Sequence, residues 1–99
     1  MNDRVLSFLG ICRRAKKLVI GAEVAEESVR CGKSRLVLHA ADASPNSLKR
    51  VRRAAQEHNV PLLCVNRSKE ELSLALGRLC AVLSVEDEGF AEKLREMID

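Results

Sequence analysis

Gly21-Ala22-Glu23-Val24-Ala25-Glu26-Glu27-Ser28-Val29-Arg30-Cys31-Gly32-Lys33 reads as a glycine turn, a short helix and a glycine stop, leading directly into the apolar run Leu36-Val37-Leu38-His39-Ala40. Gly21 suits an N-cap and Gly32 the residue just past a helix end. Glu23, Glu26 and Glu27 suit the positive end of the helix dipole, and Arg30 and Lys33 the negative end. Ala22, Ala25 and Val29 share one face and are expected to pack inward, leaving Val24 and Ser28 to point elsewhere. The run Arg35 to Ala40 is nearly continuous in apolar residues, the pattern of a strand covered by helices on both faces. His39 inside it reads as a hydrogen-bonded core or rim residue, because no Ser, Cys or carboxylate constellation marks it as a base or ligand.

Upstream, Asn2 or Asp3 caps a helix whose Val5, Phe8, Leu9 and Cys12 recur at helical spacing. Its far end, Arg13-Arg14-Ala15-Lys16-Lys17, either complements the helix dipole or contacts phosphate. Leu18-Val19-Ile20 is a brief extended piece. Downstream, Ser44 and Pro45 start a helix with Leu48, Val51, Ala55 and His58 as its buried stripe, and Asn59 ends it. Lys49, Arg50, Arg52 and Arg53 cover its other face, as solvated charges or the edge of a basic patch. Pro61 to Val65 is a second buried strand. Ser68 and Glu71 have the spacing of a capping box, Leu72, Ala75 and Leu76 follow on one face, and Gly77 stops that helix. Arg78-Leu79-Cys80 is a short loop into the strand Ala81 to Val85. Asp87 caps a last helix with Phe90, Leu94 and Met97 inward. The alternation predicts an α/β fold, a three-layer α/β/α sandwich around a mixed, largely parallel sheet of about four strands.

Ninety-nine residues, 46% hydrophobic, are enough for one domain over residues 1–99 and too few for two. Two Phe and no Trp or Tyr make an aromatic base-stacking platform improbable. The net charge of +3 conceals an asymmetry: residues 1–53 carry twelve Lys/Arg against five Asp/Glu, and residues 54–99 five against nine. A basic half of this kind suits phosphate contacts. Cys12, Cys31, Cys64 and Cys80 have no C-x-x-C pair, so neither zinc nor redox chemistry has its usual spacing. No metal, cofactor or small-molecule substrate is expected. The apolar runs fall far short of the roughly 20 residues that cross a bilayer, and no secretory signal is visible, so the expected compartment is the cytoplasm. Neither a glycine-rich phosphate loop nor a nucleophile with its base is present, and the chain is not expected to be an enzyme.

From Leu6 to Leu94, the order of Gly21, then Gly32 through Pro45, then Val60 through Val65, then Ser68 through Leu72 and Gly77 resembles the superfamily of small ribosomal proteins that bind kink-turn RNA. The ending Asp87 to Leu94 is similar to its bacterial, ribosomal-protein-like branch. The resemblance implies an RNA-binding protein of ribosomal type, meeting structured RNA, ribosomal or other non-coding, through the N-terminus of the second helix and the loop before the last strand. It places the RNA-binding positions at Gly21, Ala22, Glu23, Val24 and Glu27, and at Gly77, Arg78, Leu79 and Cys80. Arg30, Lys33 and the cluster Arg13, Arg14, Lys16 and Lys17 stand beside them as candidate phosphate contacts. Family members carry Asn, Glu and Lys where this chain has Glu23, Val24 and Glu27. A protein-interaction or adaptor domain that kept the fold and lost kink-turn recognition is the alternative from another class.

Overall fold

The computed structural model describes residues 3–98. In chain order it contains α1 (Arg4–Arg14), β1 (Leu18–Ile20), α2 (Ala22–Arg30), β2 (Leu36–His39), α3 (Pro45–Glu57), β3 (Leu62–Cys64), α4 (Lys69–Leu76), β4 (Val82–Val85) and α5 (Glu88–Ile98). The four strands form one sheet in the order β1-β4-β2-β3. β4 runs antiparallel to both β1 and β2, and β2 and β3 are parallel. The sheet is mixed, but two of its three pairings are antiparallel, so "largely parallel" is corrected. Apolar periodicity reports which faces are buried and carries no information on direction. Only the β2-α3-β3 crossover supplies a parallel pair; β4, last in the chain, enters between β1 and β2 from the opposite end.

The side-chain period of two divides the strands between two cores. Leu36, Leu38, Leu83, Val85, Leu18 and Ile20 pack on α1, α4 and α5 through Val5, Leu9, Cys12, Leu72, Leu76, Ala91 and Leu94. Val37 and Val82 face α2 and α3, where Ala25, Val29, Leu48, Val51 and Ala54 meet them. Phe8 and Phe90 close the first core edge-to-face, ring centroids 5.5 Å apart.

Ser28, expected to point outward, is buried against β4 instead. Its hydroxyl lies 2.9 Å from Ser84 Oγ and donates to Glu86 Oε2 at 2.7 Å, while Ser84 Oγ lies 2.7 Å from Ser34 Oγ. Ser84 occupies the α2-facing side of β4, so its polar side chain forces a polar partner on the helix. A buried hydroxyl left alone would cost about 1–3 kcal/mol, which makes the set interdependent. His58 is also corrected: it is exposed at the C-cap of α3, where Asn59 at φ +56° turns the chain away, and Ala54 takes its place in the stripe. Ala75 is exposed too, since the eight-residue α4 buries only Leu72 and Leu76. The capping box is present as read, with Ser68 N–H donating to Glu71 Oε1 at 2.9 Å and Glu71 N–H to Ser68 Oγ at 3.0 Å.

Asp3 caps α1 by accepting from Leu6 N–H at 3.1 Å; Asn2, the other candidate cap, lies outside the described residues. Arg67 grips the same carboxylate with Nε at 2.6 Å and Nη2 at 3.2 Å, tying the start of α1 to the loop after β3. This guanidinium holds the Asp3 carboxyl below its ordinary value of 3.8. A group depressed in the folded state contributes stability above its unfolded pKa and loses it as pH falls through the folded value. Asp3→Ala is expected to lose about 1 kcal/mol for the cap and up to about 1 kcal/mol for the ion pair at pH 7. Asp3→Asn keeps the cap and should lose only the smaller ion-pair share, with no difference from the parent at a pH well below 3.8. Urea unfolding at neutral and acid pH checks both variants.

Candidate nucleic-acid interface

Gly21 turns the chain out of β1 at φ +121°, a conformation that L side chains rarely adopt, while its N–H donates to Val82 O at 2.8 Å. The first turn of α2 is thereby fixed beside the start of β4. Val24 projects from that turn with 45% of its surface exposed, and Glu23 and Glu27 are exposed as well. No side chain caps the helix.

The second strip of chain arrives from α4. Gly77, at φ +78°, closes that helix with its N–H on Ser73 O at 2.8 Å, and Cys80 N–H donates to Ser73 Oγ at 3.1 Å. Between these ties Arg78 and Leu79 stand out from the body, Leu79 82% exposed. Arg13 Nη1 lies 3.3 Å from where a Cβ on Gly77 would sit. The absent side chain lets the guanidinium lie over the loop. Arg13 from α1, Val24 from α2 and Arg78 then line one hollow along the open edge of the sheet, floored by Leu18, Val19 and Ile20 of β1.

Several residues grouped by the sequence fall elsewhere. Cys80 is buried, 1% exposed, and burial pushes its thiol up to about 11, so it anchors the loop and reaches no ligand. Arg30 is held by Glu57 Oε1 at 3.0 Å, which ties α2 to α3, and by Glu26 Oε2 at 3.1 Å within α2; the Glu57 and Glu26 hydrogen bonds raise its pKa. Arg50 reaches Glu26 from α3 at 3.3 Å, so it too is paired. Arg14 points into the groove between α1 and α4 beside Asp3, Glu71 and Leu74. Glu23, with Ala22, borders a shallow hollow toward α3 that includes Asn46, Ser47 and Arg50. Lys33 lies past the other end of α2, about 13 Å along nine residues of helix, where Lys16, Lys17, Arg35 and Glu86 surround a second hollow. Arg35 was missed as a candidate; its signal was the period of two that leaves Lys33 and Arg35 exposed on either side of buried Ser34.

His39 Nδ1 lies 2.8 Å from Ala40 O at the rim of the sheet. Among the described residues no group of three or more His, Cys, Asp or Glu side chains is arranged to hold a metal ion. All four cysteines are free thiols, with Cys12 and Cys80 buried. No described helix is long and apolar enough to cross a membrane.

The chain belongs to the ribosomal protein L7Ae/L30e/S12e/Gadd45 family, whose pattern matches residues 3–95. RNA-binding protein YlxQ of Bacillus subtilis (strain 168) is 35% identical over 93 residues, covering 93% of this chain and 92% of that one. RNA-binding protein YlxQ of Enterococcus faecium is 31% identical over 98 residues, covering 99% and 94%. Among solved structures, a Bacillus halodurans protein of unknown function superposes with a TM-score of 0.91 at 30% identity, over 99% of each chain. A Giardia lamblia 15.5kD RNA binding protein superposes with a TM-score of 0.75 over 99% of this chain and 88% of its own, at 23% identity, a likeness of fold.

Proposed function

We propose that this chain is a non-catalytic binder of structured RNA, using the hollow where the N-terminus of α2 meets the loop Gly77 to Cys80. The observation that carries the reading is the gathering of Arg13 and Arg78, from different elements, around one hollow with the exposed Val24. Two guanidiniums at one partly apolar hollow suit a bent phosphate backbone with an unpaired base resting on Leu79. The names of the YlxQ relatives support an RNA partner. Glu23, Val24 and Glu27 offer neither the amide nor the cation that family members carry there, so the chain reads its RNA mainly by shape and charge, and a kink-turn in the usual mode binds weakly. The partner is a ribosomal or other non-coding RNA, met in the cytoplasm.

Arg13→Gln combined with Arg78→Gln is expected to weaken binding to a structured RNA and to lower the salt slope by about 2, roughly 1 for each phosphate contact removed. Filter binding at several salt concentrations reads both quantities. An affinity indifferent to salt, or to both substitutions, overturns the assignment. RNA recovered with the protein from its native cells identifies the class of partner.

A further inference from the structure

We infer that Lys16, Lys17, Lys33 and Arg35 form a second, separate phosphate-binding cradle that holds an RNA segment flanking the one recognised at α2's N-terminus. This rests on the RNA-binding reading above and extends it to the opposite end of α2.

Three stretches distant in sequence build the cradle. Lys16 follows the C-cap of α1 in the left-handed region at φ +61°, and Lys17 enters β1. Lys33 and Arg35 lie in the connection from α2 to β2, beside Gly32. Glu86, just after β4, completes the lining. Its N–H donates to Lys17 O at 2.8 Å and its carboxylate accepts from buried Ser28 at 2.7 Å, so the backbone that carries Lys17 is fixed beside Glu86.

Charge separates these four residues from the cations that are neutralised within the fold. Arg30, Arg50 and Arg67 are all paired with carboxylates within 3.3 Å. Among the described residues, no carboxylate lies within ion-pair distance of Lys16, Lys17, Lys33 or Arg35. Arg35 also borders a hollow containing Glu88, Glu92 and Arg95 of α5, whereas the three lysines line only the cradle. Like charges gathered around one hollow repel one another, and a polyanion entering it removes that repulsion.

The two sites are continuous along the surface. Lys17 passes directly into Leu18, Val19 and Ile20, the floor of the Arg13–Val24–Arg78 hollow, and β1 is the open edge of the sheet. Three residues of strand span about 10 Å, more than one backbone repeat, so the cradle meets different phosphates from those under Arg13 and Arg78. An RNA leaving the first hollow along β1 therefore runs onto the lysines.

The test compares one structured RNA that binds the wild-type chain with the same RNA trimmed of its flanking stem. Lys16→Gln, Lys17→Gln and Lys33→Gln are combined in one variant, which removes charge without adding repulsion. On the extended RNA the wild-type salt slope should exceed the variant's by about 2 to 3, so that wild-type affinity falls about fortyfold further between about 50 and about 200 mM salt. On the trimmed RNA the two should coincide. Arg78→Gln should weaken both RNAs. Equal slopes for wild type and variant on the extended RNA overturn the cradle while leaving the first hollow standing; a wild-type chain that binds no structured RNA removes both. Lysine acylation of the wild-type chain, mapped by mass spectrometry, gives a reading independent of the variant's folding. Lys16, Lys17 and Lys33 should be protected by the extended RNA, and unchanged labelling overturns the proposal.

Discussion

Glu23→Asn, Val24→Glu and Glu27→Lys together are expected to raise affinity for a kink-turn RNA by at least about thirtyfold. Two restored base-edge contacts, at about 1–3 kcal/mol each, account for this gain, and removing the Glu27 charge adds to it. All three positions are exposed, so the core is untouched. The helix dipole is nearly indifferent, because only Glu23 supplies a first-turn carboxylate and Val24→Glu returns one where Glu23→Asn removes it. Val24 also lines the same hollow as Arg13 and Arg78, two cations that a carboxylate there would attract. Calorimetry on parent and variant at one salt concentration measures the change. Tight binding by the parent would show that Glu23, Val24 and Glu27 are no handicap; a folded variant without gain would place the missing determinants in Arg78 and Leu79.

The largest effect on stability is expected at Leu83. It is fully buried in β4 and pairs in register with Ile20 on one side and Leu38 on the other. Leu83→Ala leaves a cavity in the core between the sheet and α1, α4 and α5, at a cost of about 2–5 kcal/mol. In a domain of this size each kcal/mol lowers Tm by about 4–8 °C. Leu74→Ala is the control, since Leu74 is 79% exposed and its loss should change stability by no more than about 0.5 kcal/mol. Thermal unfolding of the two variants should differ by many degrees, and equal midpoints would contradict the core assignment.

The sequence made the elements legible wherever the signal was local. Ser44 with Pro45, Ser68 with Glu71, Asn59 and Gly77 all mark helix ends that the structure contains. What it concealed depends on residues far apart in the chain. Ser28 is polar and reads as exposed until Ser84, across the helix–sheet interface, supplies its partner. Lys33 reads as a candidate phosphate contact beside the RNA-binding positions of α2, yet it gathers instead with Lys16 from another segment, past the far end of that helix. Arg30 looks free in a list of charges and is bound by Glu57 of α3. The first hollow was legible through the resemblance in Gly21 and Gly77; Arg13's place over Gly77 has no counterpart in spacing, because it depends on how α1 packs beside α4.

The position of β4 bears on the order in which the chain becomes structured. The last strand to be made lies inside the sheet and is hydrogen-bonded on both sides, so β1 has no strand partner until Val82–Val85 has been synthesised. Helix α1 and the β2-α3-β3 unit can form early, but the sheet joins them only when nearly the whole chain is available. At about 5–20 residues per second of synthesis, the edge of β1 waits several seconds for its partner. Its brevity, and the two lysines just before it, keep that waiting edge from recruiting another chain.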